Sequence, residues 1–170
     1  RQDSDFLYLS GFSEPESVIV LIPQENGGQS FLFCRERDRH RELWDGTMIG
    51  LEGAVDDFGF DQAFPIPEMK QRLPRLLRGR ERVFYDLGKD PEFDQLLIGW
   101  MNEFRAKPRK KFLFPDEIIA LDHSLHEMRL FKTRTEITAM RKSARVAASA
   151  HRRAMQVCEP GMNEAEIHAE

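Results

Sequence analysis

The chain is poor in the features that announce a chemistry. It has two cysteines, Cys34 and Cys158, far apart and with no Cys-x-x-Cys or Cys/His spacing around either. That argues against a zinc site of the usual spacing and leaves two buried, reduced thiols as the expectation. No apolar run approaches the ~20 residues that a membrane helix needs. No signal peptide is visible, although a chain that begins at Arg1 could have lost one. Basic excess is missing too. The net charge is −4, which makes no electrostatic case for nucleic acid as a partner. The catalytic short motifs are equally absent. There is no His-Glu-x-x-His, no Gly-x-Ser-x-Gly and no glycine-rich phosphate loop, so zinc-helix, nucleophile-elbow and nucleotide-binding readings have nothing to stand on.

What is present is an ordinary core-forming composition. Hydrophobic residues make up 41% of 170, enough for one domain and an appendage. The first third reads as strands: Phe6 to Leu9, the β-branched run Ser17 to Ile22, and Gln29 to Cys34. The last two are joined through Asn26-Gly27, a hairpin signal. Asp38 can cap a short helix that runs through Trp44 and stops at Asp45-Gly46. Ala54 to Phe58 is another short helical piece. Pro67 stands at a first helical position, with the helix reaching Leu77. Arg82 to Asp86 is a strand. Asp90-Pro91 opens a helix carrying Phe93, Leu97, Trp100, Met101 and Phe104 at helical spacing. Lys111 to Phe114 and Ile118 to Leu121 are short extended pieces. Strands alternating with helices predict an α/β layered domain with a mixed sheet flanked by helices.

The pattern changes near Ser124–Phe131. Thr133-x-x-Glu136 is a capping box, and Ile137, Met140, Ala144, Ala147, His151, Ala154 and Cys158 then share one face of a long helix. Pro160-Gly161 ends it, and Asn163-x-x-Glu166 starts another helix that is cut short at Glu170. The expectation is a piece of something larger: one accessory domain over 1–125 and the start of a second over 126–170. Among residues that could carry chemistry, His151 reads as a hydrogen-bonded core histidine. His168 stands among Glu164, Glu166 and Glu170 at spacings that point to different helix sides, so it reads as surface. Asp56-Asp57 reads as a helix end. The basic strip Arg105 to Lys111 reads as a solvated loop, with a carboxylate-binding strip as the alternative.

Three blocks carry a resemblance. They are RQDSDFLYLSGFSEPESVIVLI from Arg1 to Ile22, LFCRERDRHRELWDGTMIG from Leu32 to Gly50, and the C-terminal stretch from HEMRLFKTRTEITAMRKSARVAASAHRRAM through EPGMNEAEIHAE. In these blocks and their order the chain resembles the N-terminal part of the bacterial Xaa-Pro aminopeptidases (aminopeptidase P) of the creatinase/prolidase group. The resemblance implies an N-terminal mixed-sheet domain followed by the first helices of a pita-bread metallopeptidase domain. It implies a cytoplasmic, oligomeric enzyme, a dimer or tetramer, that releases the residue before proline. The reaction would use two divalent ions, by the family's habit manganese. The ligands would be two aspartates, one histidine and two glutamates, none of which falls on a position of this chain. The piece alone is therefore expected to be inactive. Trp44 resembles a tryptophan that overhangs a neighbouring subunit's substrate cleft, with packing inside its own domain as the alternative. Arg109 would reach toward a peptide carboxylate. Prolidase, which cleaves X-Pro dipeptides, and a noncatalytic assembly domain of the same fold are the other readings.

Overall fold

A computed structural model describes residues 3–106 and 113–169, with the side chain of Asp45 set aside. The chain divides into two compact units, Arg1–Asp122 and His123–Glu170.

The first unit opens with a helix, α1, Ser4–Ser10, where a strand is expected from Phe6 to Leu9. Local capping decides the difference. The Asp3 carboxylate accepts from the backbone N–H groups of Asp5 and Phe6 at 2.9 and 2.8 Å, which satisfies donors that a helix start leaves open. Gly11, at φ +64°, closes the far end in the left-handed conformation. Strands β1 (Val18–Gln24) and β2 (Gly27–Cys34) then form the expected antiparallel hairpin, in register from Val18–Phe33 to Gln24–Gly27. The turn tightens to Glu25-Asn26.

Helices α2 (Arg39–Asp45) and α3 (Gly50–Asp56) follow. α3 starts four residues before the expected Ala54. A strand not expected from the sequence, β3 (Gln62–Pro65), pairs parallel to β2. The sheet is thus mixed, in the order β1-β2-β3. A 3₁₀ turn at Ile66–Glu68 leads into α4 (Met69–Leu76). β4 (Arg82–Phe84), α5 (Pro91–Arg105) and β5 (Glu117–Ile119) complete the unit, with β4 and β5 parallel in a second, two-stranded sheet.

Alternation along β1 sends its neighbours to two cores. Ile19 packs on a cluster built by Phe12, Leu32, Cys34, Ala54 and Phe60, and Val20 on one built by Leu73, Leu77, Leu97 and Met101. Phe12, Leu32 and Cys34 are fully buried, and Phe12 meets Phe58 edge-on with ring centroids 5.2 Å apart.

α6 (Leu121–Leu130) spans the division between the units; only extended chain is expected at its start. The second unit contains α7 (Arg134–Val157) and α8 (Glu164–His168), both opened by the capping boxes read from Thr133-x-x-Glu136 and Asn163-x-x-Glu166. The shared face of α7 is largely exposed: Ile137 at 36%, Met140 at 56%, with Ala144, Ala147 and His151 also in solvent. His151 is therefore not a core histidine here, because this unit supplies nothing to bury that face. Cys158 is exposed while Cys34 is buried, so the expectation of two buried thiols holds for one. His168 is exposed as expected, and Asp56 ends α3.

Candidate functional site

Among the described residues, the most exposed large apolar side chains of the first unit lie side by side on α2: Leu43 at 80% and Trp44 at 90% exposure. Trp44 is not packed in its own domain. Its indole stands in solvent at the C-terminal end of a seven-residue helix.

The geometry around α2 explains how so short a helix holds a shape. Asp38 caps its start, accepting from the His40 N–H at 2.9 Å. Every described side chain from 36 to 47 is exposed except that of Glu42. Glu42 turns the other way from the apolar tip. One of its oxygens, Oε1, accepts from Arg37 Nε at 2.6 Å and from the Met48 N–H at 3.0 Å. The guanidinium, and after it the Met48 amide, hold the Glu42 carboxyl below its usual range; the same contact raises Arg37. Glu14, from the loop before β1, accepts the next amide, that of Ile49. Met48 beyond it is buried. Gly50 closes the excursion at φ +66°, where a Cβ would stand 3.1 Å from the Arg37 Cβ. Only a glycine lets the chain return this close to its own departure point.

A second polar cluster ties the loops after the second sheet. Lys89 Nζ donates to Asp122 at 2.6 Å and to Asp86 at 3.1 Å, and its pKa is raised above the usual lysine value, chiefly by Asp122. Burial pushes Asp86 up, but the Asp122 amide and the Lys89 ammonium outweigh it and leave the carboxyl lowered. Tyr85 donates to Asp94 at 2.7 Å, and burial with that contact raises its pKa. These pairs fasten loop to helix.

Arg109, the other residue expected at a substrate cleft, lies outside the described residues. A groove of about 300 Å³ runs between α4 and α5 and is lined by Lys70, Arg75, Trp100 and Phe104 among others. Leu43, not singled out in the sequence, joins Trp44 at the tip. Its position before Trp44, with no apolar partner three or four residues away on α2, was the available signal.

Fold and sequence comparisons agree on the class. The solved Pseudomonas aeruginosa aminopeptidase PepP superposes with a TM-score of 0.91 at 51% identity, over 99% of this chain and 38% of that one. A zinc-substituted Escherichia coli aminopeptidase P in complex with product superposes at 0.92 with 37% identity, over 99% of this chain and 39% of that one. The architecture is that of the aminopeptidase P N-terminal region. Residues 1–85 match the family described as aminopeptidase P, N-terminal domain, and the chain belongs to that family. In sequence it is similar to the Xaa-Pro aminopeptidase of Escherichia coli (37% identity) over its whole length, and to mouse Xaa-Pro aminopeptidase 3 (33%) over 99% of it. The chain spans 39% and 33% of the length of those two curated relatives.

Proposed function

We propose that this chain is the accessory part of a longer Xaa-Pro aminopeptidase, a cytoplasmic, metal-dependent hydrolase that releases the first residue of peptides with proline second. The observation that carries the reading is likeness along the entire chain, in sequence and in fold, to the aminopeptidase P enzymes. Residues 1–125 form the accessory domain, and 126–170 begin the catalytic one.

An X-Pro bond has no N–H, so peptidases that read that hydrogen handle it poorly. A site that recognises the free amine and the proline ring removes the difficulty. The group's two divalent ions, proposed as manganese, would activate a water and polarise the carbonyl. None of the ligand set implied by the resemblance falls on a residue of this chain, so no catalytic step is assigned to it. Its part is architectural. Trp44, presented in solvent on α2, would wall the substrate cleft of a neighbouring subunit in a dimer or tetramer. A rigid aromatic ring makes such contacts at low entropic cost. Arg109 is proposed to approach a peptide carboxylate at the same cleft.

The test is hydrolysis. The full-length protein supplied with manganese is expected to release X from an X-Pro-Y tripeptide, and the 170-residue chain to release none. Cleavage by the isolated chain, or a full-length protein that ignores the tripeptide and splits only X-Pro dipeptides, would overturn the reading.

A further inference from the structure

We propose that Glu42 is the positioning residue of the Trp44 arm: its carboxylate sets the direction in which the indole points, and so how tightly a peptide is held beneath it. This deepens the reading of Trp44 as a cleft wall and rests on it.

Three observations lead there. First, α2 has no apolar anchor of its own. Among the described side chains from 36 to 47, Glu42 alone is withdrawn from solvent. Its side chain is 17% exposed, against 90% for Trp44 two positions on. A seven-residue helix is far below the length that is stable in isolation. Something outside it must fix its axis.

Second, Glu42 reaches both flanks of the excursion through a single oxygen. It holds Arg37, five residues before, at 2.6 Å, and the amide of Met48, six residues after, at 3.0 Å. The carboxylate therefore closes the neck of the arm from inside. Charge-assisted bonds of this kind are short and directional. Glu14 performs the adjoining step by accepting the Ile49 amide, so the arm's return segment is held by two carboxylates on consecutive N–H groups.

Third, Glu42 and Trp44 lie two residues apart on one helix, where successive side chains diverge by about 100° each. The residue that grips the two flanks of the arm and the residue that faces outward thus point to different sides of the same turn. Rotating the helix by loss of the grip rotates the indole with it.

The test is a mutant cycle in the full-length enzyme, with steady-state hydrolysis of a tetrapeptide bearing proline second. Trp44→Ala is expected to raise KM about tenfold, the size expected for losing one aromatic contact to the bound peptide, and by more than it lowers kcat. Glu42→Ala is expected to raise KM in the same direction. In the Trp44→Ala background, Glu42→Ala is expected to add nothing, because an arm without its ring has nothing left to aim. Glu42→Gln, which keeps an acceptor for Met48 but loses the ion pair with Arg37, is expected to fall between wild type and Glu42→Ala, and it serves where the alanine variant does not fold. A Trp44→Ala effect with no effect of either Glu42 variant would remove the positioning role and leave the wall intact. Equal Glu42 effects with and without Trp44 would show an unrelated loss of stability and would also remove it. An unaltered KM in Trp44→Ala would overturn the wall itself.

Discussion

Single side chains in this chain are set apart by burial more than by type. Cys34 has no exposure, and burial, aided by the charge of Glu14, pushes its thiol up to about 11. Cys158 is exposed. At pH 8 roughly one Cys34 in a thousand would be thiolate, and the thiolate is the reactive form. Brief treatment of the native chain with iodoacetamide is therefore expected to modify Cys158 and spare Cys34, as read by peptide mass mapping. Comparable labelling of the two would contradict the buried position of Cys34. The tryptophans divide in the same way. Trp100 packs beside Phe93 in the second core, with ring centroids 6.3 Å apart, while Trp44 has almost no contact. Nothing in the residue type separates them. Trp100 could be read as core from its helical spacing with Phe93, Leu97 and Phe104. Trp44 sits on a helix too short to show a period.

Among the elements, those announced by their ends matched the sequence best. Asp38, Asp90, Thr133 and Asn163 each accept from the helix they open, and all four were legible because a cap is a local bond. The same chemistry at Asp3 makes α1 a helix, whereas Phe6 to Leu9 reads as a strand because four apolar residues in a row have no period. β3 was invisible for a different reason. Gln62–Pro65 is held by its partner and by a clamp at its start. There the Asp61 carboxylate accepts from the Ser30 N–H at 2.7 Å and the Ser30 hydroxyl at 2.9 Å. Those bonds, the amide first, hold Asp61 below its ordinary pKa. A lowered folded pKa means that the stabilisation is present above the ordinary aspartate range and is lost as pH falls through the lowered value. Asp61→Asn is expected to reduce Tm at pH 7, and the gap from wild type to close as the pH drops below about 4. A gap of constant size across that range would show that the clamp does not depend on charge.

For the molecule as a whole, the two units differ in what they bury. The first contains both hydrophobic clusters. In the second, α7 presents 24 residues with none buried, although its Ile, Met and Ala positions form a stripe. Such a stripe on a stable helix ordinarily meets a partner, and the proposed catalytic domain is where that partner belongs. Amide hydrogen exchange over residues 137–157 is accordingly expected to be fast in the 170-residue chain and slow in the full-length protein. Equal rates would mean that α7 stays uncovered. Sequence by itself determined the α/β class, the hairpin, the capped helices and the family, because periodicity, turn residues and caps are properties of neighbours along the chain. Only the tertiary structure decided that Trp44 faces solvent, that Glu42 grips the neck beneath it and that β3 joins the sheet. Those outcomes depend on groups that the sequence holds five to thirty-one residues apart and the fold brings within hydrogen-bonding distance.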